Sequence, residues 1–183
     1  MTLTDGTITI RRPTAAPREE TGAPAFLLDS PISGRRVGLR TDLAWRSWTQ
    51  IAGHWAEFLR RDGAEPVPIE TQAQIGKEGA SDRENIDVWA DGIACGIVGL
   101  GTCGSCTSFT VQDAVAVENH DKPVLAVVTT EFETHARNMA RFLGHHDLKV
   151  LVLPYPLEAR PDEELRQIAV EHYPIALSML GAS

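Results

Sequence analysis

Short apolar runs alternate with longer amphipathic stretches along most of this chain. The runs are Arg36–Leu39, Pro66–Ile69, Gly96–Leu100, Lys122–Thr130 and Lys149–Leu153. They are bounded by Gly, Pro, Asp or Ser, as strands are. The fourth, Pro-Val-Leu-Ala-Val-Val, is nearly all apolar, which a strand buried on both faces requires. Between the runs the pattern turns helical. Over Ala44–Arg61, Trp45, Trp48, Ile51, Trp55, Phe58 and Leu59 recur at three- and four-residue steps, and Asp62-Gly63 ends the stretch. Asp82–Ala90 predicts a second helix, capped by Ser81 or Asp82, with Ile86 and Trp89 inward. A third runs from Ser105 to about Asn119, packing through Phe109, Val111, Ala114, Val115 and Val117. Glu131–Leu143 and Asp162–Leu180 complete the set, the last carrying Pro174, which should kink it. The polar, glycine-bearing segment Thr71–Glu84 is left over, and a loop of that length in a compact domain is either disordered or a lid that orders over the crevice.

Strand alternating with helix implies an α/β fold with a parallel sheet covered on both faces. For five strands the flavodoxin-like order 2-1-3-4-5 is expected, a three-layer sandwich whose ligands bind beyond the carboxyl ends of the strands. The switch point falls between the first and third strands. Residues 1–25 lack this periodicity. They are rich in Thr, Pro, Ala, Arg and Glu and predict a mobile arm or a strap across a neighbour, the alternative being a short edge strand at Thr7–Ile10, ahead of a single domain over 26–183.

Composition narrows the partners. A chain of 183 residues suits one well-packed domain. A formal charge of −8 argues against nucleic acid or an anionic membrane surface as partner. No run approaches the roughly 18 apolar residues of a membrane span, and the N-terminus lacks a signal-type apolar core. Three cysteines, two of them in C-x-x-C spacing, fit a reducing cytoplasm and a reactive or redox role better than a disulfide framework. Zinc fits poorly, because one C-x-x-C supplies two ligands and no His pair sits at finger spacing. No metal or cofactor is expected.

The chemistry concentrates in residues 94–113. Here the third strand runs into the turn Gly101-Thr102-Cys103-Gly104-Ser105-Cys106-Thr107 and then a helix. The first-turn N–H groups of a helix lack intrahelical acceptors, and the macrodipole adds partial positive charge. Both favour a thiolate there. Cys103 and Cys106 are therefore the candidate catalytic residues, able to close a small disulfide where backbone geometry allows. Cys95, at the start of the strand, reads as a small buried apolar residue.

The expected strand order brings other residues to the same crevice. Arg40, Thr41, Asp42 and Trp45 lie at the tip of the first strand and the start of its helix. Thr129, Thr130 and Glu131 end the fourth strand, and Tyr155 follows the fifth. With Gly101, Thr102, Gly104, Ser105 and Thr107 these are the candidate substrate-binding residues. Arg40 could grip a carboxylate bidentately or be a solvated strand-end charge. Glu131 is the nearest acid or base by position, or a helix cap. Gly99-Leu-Gly101-Thr-Cys-Gly104 matches G-x-G-x-x-G, but Glu131 lies later than a dinucleotide site asks and the motif sits on the third strand. Its glycines instead let the backbone turn and present N–H groups to an anion or oxyanion. His135, about one turn into the helix after the fourth strand, is a surface or satisfied residue or a partner for a cysteine. His120, His145, His146 and His172 read as solvent-facing.

Thr102-Cys-Gly-Ser-Cys-Thr-Ser108, the following Asp-Ala-Val helix, Pro-Val-Leu-Ala-Val-Val-Thr-Thr-Glu-Phe and Leu153-Pro-Tyr-Pro-Leu together resemble the UGSC family, named for a Sec-Gly-Ser-Cys motif. The resemblance covers roughly Phe26 to the C-terminus and is strongest over Gly99–Leu157. It places Cys103 on the selenocysteine position and Cys106 on the partner cysteine, which implies that Cys103 is nucleophile or redox centre. The Trp-rich first helix and the N-terminal arm stand out from the family pattern.

Three functions fit these features. In a thiol oxidoreductase acting on a small molecule, Cys103 attacks, Cys106 resolves, and a thiol reductant restores the pair. In covalent catalysis without redox change, Cys103 adds to a carbonyl, nitrile or carbon–halogen centre of a small polarised substrate. In a non-catalytic subunit the same crevice serves binding within a homo- or hetero-oligomer.

Overall fold

The computed structural model describes residues 26–42, 44–71 and 76–182. Its order is β1 Arg36–Thr41, α1 Arg46–Arg61, β2 Glu65–Glu70, α2 Gly76–Asp91, β3 Cys95–Gly101, α3 Gly104–Glu118, β4 Val124–Thr129, α4 Glu133–Phe142, β5 Lys149–Leu153 and α5 Asp162–Leu180. The strands form one sheet in the order β2-β1-β3-β4-β5, every pair parallel. This is the expected flavodoxin-like three-layer sandwich.

Side-chain alternation along the strands divides the interior in two. Val37, Leu39, Ile97, Leu125, Val127, Leu151 and Leu153 face α1 and α5, where Trp48, Ile51, Trp55, Leu59, Leu165 and Ile168 complete one core. Val98, Ala126, Val128 and Val150 face α2, α3 and α4, packing with Ile86, Trp89, Val111, Ala114, Ala136 and Ala140. Pro66 and Pro68 lie on β2, an edge strand, where a missing N–H is tolerated.

Several boundaries differ from expectation. The segment Thr71–Glu84 is not one long loop, because α2 already begins at Gly76; residues 72–75 of the expected lid lie outside the described residues. The arm 1–25, with the alternative strand at Thr7–Ile10, also lies outside them. Helix α1 starts at Arg46, which makes Trp45 its N-cap. The residues after β4 first form a 3-10 turn, Thr130–Phe132. Pro174 lies inside α5, which spans Asp162–Leu180 with the proline in place. No helix among the described residues is long and apolar enough to cross a membrane.

The N-terminus of α1 is held by a distant residue. Glu158 accepts the N–H groups of Arg46 and Ser47, each at 3.1 Å, and the Ser47 hydroxyl at 2.8 Å. Arg46 in turn reaches Asp162 at 2.6 Å and the Arg160 carbonyl at 3.0 Å. The segment after β5 thus anchors the helix start that carries Trp45. At the other edge of the sheet, Leu28 N–H donates to the Leu180 carbonyl and Ser30 bridges to Ala182.

Candidate functional site

The cysteine turn forms where β3 ends. Gly101 is buried, and a Cβ there would come within 2.8 Å of Val128 and 2.9 Å of the Thr107 hydroxyl. A Cβ at Gly99 would meet the Trp48 indole at 2.5 Å. These two glycines therefore allow close packing on either face of the strand. Cys103 is the N-cap of α3, and its Sγ accepts the Cys106 N–H at 3.1 Å. Cys103 and Cys106 are joined in a disulfide, with Cα atoms 5.1 Å apart. The Ser105 hydroxyl lies 3.5 Å from the Cys103 sulfur. Thr107 is buried and fixes the turn from below, its hydroxyl and N–H both donating to the Cys103 carbonyl, at 2.6 and 3.0 Å. Gly104 is exposed, with open space where a side chain would go. Cys95 is fully buried, and that burial pushes its thiol up to about 12, so it carries no thiolate here.

A cavity of about 180 Å³ opens beside Cys106. Its walls are Arg40, Asp42, Ala44, Trp45, Thr71, Ser105, Cys106 and Phe109. The first strand tip and the cysteine turn thus meet across the switch point. Thr41 holds the wall from behind, its carbonyl accepting the Thr71 N–H at 3.0 Å. The remaining candidates do not line this cavity. Thr129 is buried and donates to the Thr102 hydroxyl at 3.3 Å. Thr130 and Glu131 are exposed in the 3-10 turn, and Tyr155 is exposed against the edge of Phe132. The carboxylate at the cavity is Asp42, not Glu131.

Arg40 is only 1% exposed, which overturns the solvated strand-end alternative. Its guanidinium is also largely committed. One terminal nitrogen donates to the Gly99 carbonyl at 2.8 Å and lies 3.3 Å from Asp42; the other lies 2.9 Å from Asp113. A bidentate grip on a substrate carboxylate would need the nitrogens these partners already hold. Burial raises the pKa of Asp42 and of Asp113, and in both cases Arg40 opposes the rise.

Asp113, Phe109 and Thr71 were not among the sequence candidates. Asp113 and Phe109 lie on the helix that starts at the cysteine turn, seven and three residues beyond Cys106. Helical spacing from Cys106 puts Phe109 one turn on, toward the same side, which is the one signal that could have found it. His135 comes against the outer side of that helix start. Its Nε2 lies 3.1 Å from the Ser108 hydroxyl and 3.1 Å from the Gly104 carbonyl. Of the other histidines, His145 is not solvent-facing; it pairs with Glu118 at 2.5 Å in a largely buried contact. Among the described residues, no group of three or more His, Cys, Asp or Glu side chains is placed to hold a metal ion.

A protein-family model, the UGSC family, matches residues 9–182. The match begins well ahead of Phe26, so most of the N-terminal arm falls within the family pattern and is not an addition to it. No curated protein matches the chain.

Proposed function

The chain belongs to the UGSC family, and on that footing we propose that it is a thiol–disulfide oxidoreductase acting on a small molecule. The observation that supports this is the Cys103–Cys106 disulfide at the start of α3, beside an open cavity. With the disulfide formed, the Cys103 sulfur, as N-cap, receives the Cys106 N–H at 3.1 Å; the same contact in the reduced protein would be stronger for thiolate than for thiol. For a disulfide substrate R–S–S–R′, the Cys103 thiolate attacks one sulfur and expels R′S⁻, leaving Cys103–S–S–R. The Cys106 thiolate then attacks the Cys103 sulfur and expels RS⁻, closing the bond present here. The substrate gains two electrons and two protons, the protein loses them, and an external thiol reductant returns them. Asp42 shares the cavity wall with Cys106 and is the candidate acid–base group for its proton.

The cavity touches Cys106 rather than Cys103. That favours a second assignment, in which the roles are exchanged and Cys106 attacks first.

Intact-mass spectra after exposure to the neutral disulfide of 2-mercaptoethanol distinguish these. Wild type is expected to end as the internal disulfide, reversed by dithiothreitol. Cys106→Ser should retain a mixed-disulfide adduct on Cys103, and Cys103→Ser should react far more slowly. The opposite pattern in the two variants assigns Cys106 as nucleophile. A wild type that forms no reversible internal bond defeats the redox function and leaves covalent catalysis by one cysteine.

A further inference from the structure

The first turn of α3 carries both sulfurs, and a side chain from another helix holds on to it. Gly104 and Ser105, the two residues between the cysteines, are exposed, and a Cβ at Gly104 would meet open space. Packing does not fix Gly104; hydrogen bonds do. From within α3, Thr107 donates twice to the Cys103 carbonyl, and the Ser108 hydroxyl donates to the Gly104 carbonyl at 3.2 Å. From α4, His135 Nε2 lies 3.1 Å from that same carbonyl and 3.1 Å from the Ser108 oxygen.

The chemistry of these neighbours fixes the direction of the contact. A carbonyl oxygen only accepts, and Ser108 has committed its one hydroxyl proton to Gly104, so both atoms facing Nε2 are acceptors. Nε2 therefore carries a proton and donates it to them. Neutral imidazole of this tautomer and imidazolium both have that N–H, so the contact survives protonation at Nδ1. It leaves Nε2 no lone pair with which to take a thiol proton. The connection between His135 and the cysteines runs through the backbone of the turn instead.

In the oxidised protein the disulfide itself ties Cys103 to Cys106. In the reduced protein that tie is gone, and Gly104, without a side chain, has the most backbone freedom to lose when the bond closes again. A donor anchored on a neighbouring helix limits that freedom. We propose that His135 is a positioning residue for the cysteine pair: from α4 it holds the Gly104 carbonyl, so that the reduced first turn stays folded with its two thiols within reach of each other. This role rests on the thiol–disulfide function above. Such pre-organisation favours the closed bond, because less entropy is lost on forming it. Loss of the contact makes the bond easier to reduce.

The test equilibrates the full chain in glutathione buffers of graded composition, quenches with iodoacetamide and reads the reduced fraction by intact mass. Reduction takes two electrons and two protons from two glutathione thiols, which leave as one glutathione disulfide, and yields the Cys103 and Cys106 thiols. His135→Ala should be half-reduced at a squared-thiol-to-disulfide ratio about threefold or more below that of wild type. His135→Gln, whose amide N–H can stand in for Nε2–H, should stay within about twofold of wild type. Both variants should keep the wild-type far-UV circular dichroism, since His135 is exposed. An alanine variant with the wild-type equilibrium overturns the proposal. A glutamine variant no better than alanine also overturns it, and assigns the effect to the ring or its charge. A wild type that forms no reversible bond defeats the redox function and this role with it. A reversible wild-type bond indifferent to His135→Ala defeats this role alone.

Discussion

Arg40 shows how one residue serves the site while hardly touching solvent. It lies on β1, faces α3, and ties the strand to the helix through Asp113. Burial raises the Asp113 pKa, so the folded protein holds this proton at pH values where the unfolded chain has released it. Protons are then bound more in the native state, and stability falls as pH rises from the ordinary carboxylate value of about 4 through the raised native value. Asp113→Asn removes that titration and keeps an acceptor oxygen for Arg40. Urea unfolding across this window should show a shallower decline in the variant, with the remaining slope due to Asp42 and Glu118, whose pKa values are also raised. An unchanged slope would mean that Asp113 does not titrate differently in the two states. The cysteines, Arg40, Asp42 and Trp45 were visible in the sequence because each sits at a strand tip or helix start that alternation locates. Asp113 and Thr71 were not. Asp113 shares a helix face with Cys106 and Phe109 by its seven-residue spacing, but its pairing with Arg40, like the place of Thr71, depends on how α3 and the end of β2 dock beside β1.

Among the elements, α2 departs furthest from its sequence reading. Gly76, Gly79 and the polar run to Glu84 look like a loop, and Ser81-Asp82 resembles a helix start. Its large inward residues, Ile86 and Trp89, all lie in the second half, so the first turns show no amphipathic stripe to read. What seats this helix is an absence on the sheet. Gly38 leaves a gap filled by the Trp89 ring and Ile93, and a Cβ at Gly38 would lie 2.6 Å from Ile93 and overlap Trp89. Gly38→Ala should therefore cost about 1–3 kcal/mol by overpacking. It should also loosen the Trp89 indole from the Val67 carbonyl, shifting tryptophan emission as the denaturation midpoint drops. A midpoint equal to wild type would show that α2 slides freely over β1. By contrast, β5 and α5 match their sequence boundaries: Pro154 follows the short apolar run of β5, and Pro161 and Gly181 flank α5.

At the scale of the whole molecule, the Cys103–Cys106 bond contributes little to the fold. Both cores lie on the sheet faces, whereas the disulfide closes only the first turn of α3. Loop-closure entropy for so short a ring is about 2 kcal/mol. For a domain of this size that corresponds to a melting shift of about 4–8 °C at most. The reduced protein should keep its far-UV circular dichroism and melt in one transition within that range. Loss of tertiary structure on reduction would make the bond a structural staple and count against its cycling in function.

The Leu28–Leu180 and Ser30–Ala182 contacts carry a practical consequence. In a parallel sheet every strand delivers its carboxyl end to one edge, and the helices return the chain to the other. The cysteine turn is on the first edge; Ser30 leads into β1 and Ala182 follows α5 on the second. A protein tethered through its C-terminus to an electrode would thus present the sulfur pair away from the metal, toward the solution. Diffusing reactants could reach it freely, while electrons from the surface would have the full depth of the sheet to cross.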